Sequence, residues 1–178
     1  PYAIPNQTVG LTTTEVGVPV LWWRSVGSTH TAFAAETFLD EVAEAAGRDP
    51  VEFRLSMLEP QSRHATVLKL AAEKAEWHKP LPEGRFRGVA IAESFGSVVA
   101  EIAEVSTDGK GQIRVERVVA AVDCGLAINP DQVRAQVEGG IGFGLGAILG
   151  EEITLTDGSI DQSNFDLYTP LRIDAMPK

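Results

Sequence analysis

Cysteine is almost missing from this chain of 178 residues: Cys124 stands alone, which excludes an intrachain disulfide framework and any metal site built from several thiolates. Histidine is nearly as scarce. His30, His64 and His78 are scattered, and none has the helical spacing of a zinc-binding pair. Basic charge is short as well, with 15 Lys and Arg against 25 Asp and Glu and a net charge of -10. Nucleic acid is therefore not expected as a partner, because phosphate backbones are held by a clustered basic face. The apolar run Gly139–Gly150 falls far below the roughly 20 residues that span a bilayer, so no transmembrane segment is expected. The opening Pro1-Tyr2-Ala3-Ile4-Pro5-Asn6 has neither the charged start nor the apolar core of a secretion signal, and reads as the middle of a protein.

What the chain does have is concentrated in Asp123–Gly150, DCGLAINPDQVRAQVEGGIGFGLGAILG. Asn129 followed by Pro130 predicts a helix that starts at about Pro130, since the Asn side chain accepts from an orphan amide and proline presets φ. Val133, Val137, Ile141, Leu145 and Ile148 continue at helical spacing. Gly139, Gly140, Gly142, Gly144 and Gly146 each weaken that helix by about 1 kcal/mol relative to alanine. Their presence predicts something lying close against the backbone, and the interior Gln136 predicts a buried amide in need of partners.

Before this stretch, residues 1–20 read as an extended lead-in. They end in Leu21-Trp22-Trp23-Arg24-Ser25-Val26-Gly27, where two tryptophans beside an arginine read as a core edge or as a pocket wall, the former preferred. A helix is predicted over about Thr31–Ala46, started by the Ser28 and Thr29 hydroxyls and closed by Gly47. Phe33, Phe38, Leu39, Val42 and Ala46 are assigned to its buried side, and Glu36, Asp40, Glu41 and Glu44 to a solvated one. Asp49-Pro50-Val51-Glu52 opens a short second helix to Leu58, and a third spans about Ser62–Trp77. Residues 79–87 form a surface connection. Beyond it the period changes to two: Gly88–Glu93, Val98–Ser106 and Gln112–Asp123 read as strands, the last two as an antiparallel hairpin around Asp108-Gly109-Lys110-Gly111. A smaller hairpin is expected around Asp157-Gly158, with residues 164–178 extended. The fold class is mixed α and β (α+β), with a helical region over 1–84 and, over 85–178, antiparallel hairpins and a glycine-rich helix packed on a sheet.

The glycines do not form a dinucleotide loop, because that fingerprint follows a strand and opens a helix, whereas these lie inside a helix begun about ten residues earlier. Packing of another helix on Gly142 and Gly146 is the natural structural reading. Gln136 is open to two readings on chemistry alone, a structural hydrogen-bond network or the edge of a heterocyclic ligand, with the network preferred. There is no Gly-x-Ser-x-Gly elbow, and Cys124 has no histidine near it in sequence, so it reads as a buried structural thiol.

The segments WWRSVGSTHTAFAAETFLDEVAEAAGRDPVEFRLSML, GRFRGVAIAESFGSVVAEIAEV, VDCGLAINPDQVRAQVEGGIGFGLGAIL and QSNFDLYTPLRI resemble, in order, the molybdopterin-binding subunit of the xanthine dehydrogenase and aldehyde oxidase superfamily, in the branch typified by the isoquinoline 1-oxidoreductase beta chain. The resemblance implies an oxidoreductase that hydroxylates an aldehyde or N-heterocycle with water-derived oxygen at a molybdopterin-type molybdenum cofactor and passes electrons to an iron-sulfur partner subunit. It implies that Gln136 faces the pterin. It implies too that Arg24, Ser25 and Gly27 lie beside the cofactor, with Val26 in the substrate pocket where many relatives carry Arg-Gly-Phe-Gly and an aromatic. The family's catalytic glutamate, in a Gly-Glu pair, and its Gly-Gln-Gly and Gly-Gly-Gly-Phe-Gly segments have no match here, so no catalytic residue is assigned. The chain is expected to be a fragment or one piece of a split subunit, inactive by itself and completed by the remaining molybdopterin-binding segments. A non-catalytic assembly or binding module of the same ancestry is the alternative.

Overall fold

The computed structural model describes residues 1–178. Three helices come first: α1 (Ser28–Ala45), α2 (Pro50–Met57) and α3 (Arg63–Lys74). Strands β1 (Arg85–Ser94), β2 (Ser97–Thr107) and β3 (Ile113–Asp123) follow and form one antiparallel sheet in the order β1-β2-β3. Helix α4 (Pro130–Leu149) comes next, then the two-residue strands β4 (Leu155–Thr156) and β5 (Ser159–Ile160), paired Leu155 to Ile160 and Thr156 to Ser159, and a short 3-10 turn at Ile173–Ala175. The class is α+β, and no helix is long and apolar enough to cross a membrane.

Packing divides the chain into two units, one of Pro1–Leu81, Arg87–Ala103 and Val119–Gly125, the other of Pro82–Phe86, Glu104–Val118 and Leu126–Lys178. In the first unit, Leu68 and Ala71 of α3 and Ala75 just after it join Val51 and Leu58 in a core with Val89, Ile91, Val98, Ala100, Ile102 and Ala121 of the sheet. Local chemistry starts α2 and α3 where the pattern predicts. Asp49 accepts from the amides of Val51 and Glu52 at 2.9 and 3.0 Å, and Ser62 Oγ accepts from Ala65 N at 3.1 Å. Helix α1 ends on Gly47 at φ 63°, with Gly47 N donating to Glu44 O and Arg48 N to Ala43 O, the double bond pattern that satisfies the last carbonyls.

The start of α1 differs from expectation. It begins at Ser28 with Gly27 at the cap position and no side-chain cap. The Thr29 hydroxyl donates instead to Arg24 O at 2.9 Å, which ties the preceding turn to the helix. Its buried face is also rotated: Glu36, Leu39 and Ala43 are inside, while Phe33 and Phe38 are exposed. The acids assigned to solvent are therefore divided. Glu41 and Glu44 stay wet, whereas Glu36 meets Arg54 Nε at 2.9 Å and Asp40 meets Arg54 Nη1 at 2.6 Å. Arg54 is fully buried. Burial works against its charge, but hydrogen bonds to Asp40 and Glu36 more than offset this and hold the guanidinium pKa above its ordinary value. Tyr2 Oη donates to both Glu36 oxygens, at 2.9 and 3.1 Å, and Ile91 N donates to Oε2 at 3.0 Å. Burial, and then the facing Glu36 carboxylate, raise the Tyr2 pKa.

In the second unit, Asn129 accepts from Gln132 N at 3.2 Å and α4 starts at Pro130. Gly146 is the helix's single buried residue. The close approach predicted for the glycines occurs at two of the five. Met176 Sδ would stand 3.1 Å from a Cβ at Gly142, and the Glu151 carboxylate occupies the place of a Cβ at Gly146. A returning segment and a carboxylate thus fill the positions assigned to another helix. Glu151 is fixed there by Tyr168 Oη at 2.8 Å.

Candidate functional site

Ser25 and Val26 have φ values of 68° and 50°. For a β-branched residue this left-handed backbone is a true outlier, of the kind held in place by surrounding structure at functional sites. The turn is tied by Val26 N to Trp23 O at 3.0 Å and by Ser28 N to Ser25 O at 2.9 Å. A second strained pair, Phe95 at 49° and Gly96 at 78°, forms the two-residue connection from β1 to β2. Positive φ at both central residues matches the right-handed twist of the strands, at the expense of an aromatic in a conformation that favours glycine.

Both strained turns line one open cavity of about 830 Å³, together with Gly27, Ser28, Thr31, Glu36, Ile91, Glu93 and Ser94. Its volume lies within the range of small-molecule pockets. Of the sequence-derived candidates, Ser25, Val26 and Gly27 meet here. Arg24 is outside the lining, its carbonyl engaged by Thr29. Trp22 and Trp23, preferred as a core edge, are 82% and 48% exposed, because the loop that carries them projects from the packed helices. A smaller cavity of about 420 Å³, lined by Val51, Leu55, Ala72 and Trp77 with Lys69 and Glu73 among its charged groups, lacks a matching pair of strained turns.

Two residues of the larger cavity were not found in the sequence. Glu93 lies beside His64, whose Nε2 is 3.0 Å from its Oε2, within ion-pair distance but without hydrogen-bond geometry. Phe95 is the other. The Phe-Gly step between two period-two runs was the available signal, since such a pair reads as a hairpin turn.

Gln136 belongs to the second unit and lines neither of these cavities. It is exposed, not buried as expected, because its face of α4 has no covering element in this chain. Its amide is one helical turn from Gly139 and Gly140, which share its face and have nothing within 4 Å of where a Cβ would stand. An amide donor and acceptor beside such an open backbone fits a flat heterocycle with a hydrogen-bonding edge, which a pterin has. Cys124 is exposed too, contrary to the buried-thiol reading, since it follows the last residue of β3.

At the end of β3, Asp123 accepts from Arg63 Nε at 2.8 Å and from Nη2 at 3.0 Å, while Nη2 also reaches its carbonyl at 2.8 Å. The Arg63 hydrogen bonds first, and then Gly125 N, lower the Asp123 pKa to about 2. A depressed carboxylate stabilises the folded state above its unfolded value near 3.9 and loses that contribution as pH falls through the folded value. The stability difference between the chain and Asp123→Asn is expected to be full above about pH 5 and to fall to a pH-independent remainder by about pH 1. Thermal unfolding across that range measures it, and a difference independent of pH would contradict the ion pair.

A family model described as molybdopterin cofactor-binding domain matches residues 27–177. The chain is 34% identical over 181 residues to the beta chain of isoquinoline 1-oxidoreductase from Brevundimonas diminuta, covering 99% of this chain and 23% of that protein. It is 31% identical over 195 residues to a nicotinate dehydrogenase subunit from Pseudomonas putida, covering 99% and 16%. It is 32% identical over 177 residues to the membrane-bound aldehyde dehydrogenase (pyrroloquinoline-quinone) of Gluconacetobacter polyoxogenes, covering 88% and 23%. The chain thus spans about a quarter or less of the length of these relatives.

Proposed function

The chain belongs to the molybdopterin cofactor-binding domain family, and on that premise we propose that it lines the molybdenum cofactor pocket of a larger oxidoreductase and forms part of its substrate wall. The reaction proposed is hydroxylation of an aldehyde or an N-heterocycle: a C–H carbon gains oxygen from water, and two electrons and two protons leave. The proposed electron acceptor is an iron-sulfur partner subunit, and the remaining cofactor-binding segments come from the rest of the protein. The cofactor, when bound, supplies the redox chemistry.

The role of the chain is binding and orientation. Gln136 offers an amide N–H and a carbonyl to the edge of the pterin, and Gly139 and Gly140 let a flat ring system approach the helix backbone. The Ser25-Val26-Gly27 turn forms one side of the substrate cavity. Val26 gives that side no ring to stack on, and Phe95, on the other strained turn of the same cavity, supplies it. This division of labour supports neither turnover nor tight cofactor binding by the isolated 178 residues. The single observation that carries the cofactor reading is the exposed Gln136 amide beside two open glycines on one helical face.

Gln136→Ala in the full-length protein tests it. Two lost hydrogen bonds of about 0.5–1.5 kcal/mol each predict a hold on the cofactor weaker by roughly 5- to 150-fold, read as molybdenum per polypeptide by elemental analysis at limiting cofactor supply. Unchanged molybdenum and unchanged turnover would return Gln136 to a structural role. Because one relative carries pyrroloquinoline-quinone in its name, the same preparation is assayed for extractable quinone, and a quinone-loaded protein free of molybdenum contradicts the assignment.

A further inference from the structure

Two carboxylates line the 830 Å³ cavity, and they differ in what remains of their charge. Glu36 is spent. Its oxygens accept from Tyr2, Arg54 and Ile91 N, and it shares the Arg54 guanidinium with Asp40. Glu93 is half exposed and meets one side chain, His64, through Oε2. The nearest fixed cation from α3 is Arg63, which is committed to Asp123 by three hydrogen bonds and reaches Glu93 only as a more distant charge. Glu93 is therefore the carboxylate of this cavity that no arginine side chain bonds directly. Two residues along, at the hairpin tip, Phe95 lines the same space.

A carboxylate and an aromatic residue lining one cavity are the complementary pair for a cationic nitrogen. The ring quadrupole attracts a cation within about 6 Å, and a carboxylate adds a direct Coulomb term in a partly dry site. An anionic ligand is disfavoured by the same arrangement. Resting on the reading of this cavity as the substrate wall, we propose that Glu93 and Phe95 select substrates bearing a cationic nitrogen, namely N-alkylated or protonated N-heterocycles of the isoquinolinium or pyridinium type, over neutral heterocycles and aldehydes. The choice suits the reaction, because positive charge on the ring nitrogen makes the adjacent carbon a better acceptor for an oxygen nucleophile. His64 stands beside one Glu93 oxygen, its Nε2 3.0 Å from Oε2.

Equilibrium titration of the full-length, molybdenum-loaded protein with N-methylisoquinolinium and with isoquinoline, both at pH 8, tests the proposal. The natural protein is expected to bind the cation at least tenfold tighter. Glu93→Gln is expected to bring the two probes within threefold of each other, through loss of affinity for the cation alone, with molybdenum content unchanged. Phe95→Leu, at an exposed turn, is expected to remove about half of the preference on a logarithmic scale, with molybdenum content unchanged. Equal affinities in the natural protein, or a tenfold preference that survives both substitutions, overturn the proposal and leave the substrate-wall reading standing. Failure of the molybdenum-loaded protein to bind either probe overturns both.

Discussion

Replacement of Arg54 by alanine is expected to lower stability by about 3–5 kcal/mol, the largest single-residue effect in the chain, because it leaves buried carboxylate charge without its partner. Arg54 is completely buried, donates to Glu36, Asp40 and Pro50 O, and lies between α1 and α2. With a denaturant slope of about 1–3 kcal/mol per molar in urea, the midpoint falls by roughly 1 M or more. The control is the pair Arg54→Met with Glu36→Gln. It removes the two buried charges at once and leaves only the part-exposed Asp40 to water, and is expected to recover a good part of the loss, since an apolar replacement for a buried pair is often neutral. A single-variant loss below about 1 kcal/mol would mean that water reaches the pair and that the helices are held by apolar contact alone.

The second large effect is expected at Leu68, which is fully buried where α3 packs against the sheet. Leu68→Ala removes that side chain from a close-packed core and is expected to cost about 2–5 kcal/mol, the spread reflecting how far the neighbours can collapse into the space. Phe38 is the informative comparison. It is larger and more hydrophobic, yet 62% exposed on α1, and Phe38→Ala is expected to change stability by less than about 0.5 kcal/mol. Thermal unfolding of the two variants side by side checks both numbers. A Phe38 effect equal to that of Leu68 would restore the face of α1 that its amino-acid pattern suggests.

The contrast between these two residues marks how far the amino-acid sequence can be read. Features with local causes were legible: the Asn129-Pro130 and Asp49-Pro50 starts, the Ser62 cap, the Gly47 stop and the period-two strands all depend on neighbours within a few positions. The face of α1 was not legible, because Glu36 is drawn inside by Arg54, 18 residues away, and by Ile91 N, 55 residues away. The site divides in the same way. The Ser25-Val26-Gly27 turn stood out through its resemblance to a known motif. Glu93 and Phe95 acquire meaning only when the β1–β2 turn and that loop line one cavity. For Gln136 the presumption of burial failed, since a glycine face is also what remains when nothing in the chain covers a helix.

The Glu36 cluster carries a further consequence for how the protein comes into being. Its last donor, Ile91 N, is made 55 residues after Glu36 itself. At about 5–20 residues per second of synthesis, the carboxylate waits roughly 3–11 s for it. During that interval α1 and α2 can pair through Arg54, but the strand that completes the cluster does not yet exist. The pace of the ribosome thus sets the earliest time at which the first helices can reach their final packing.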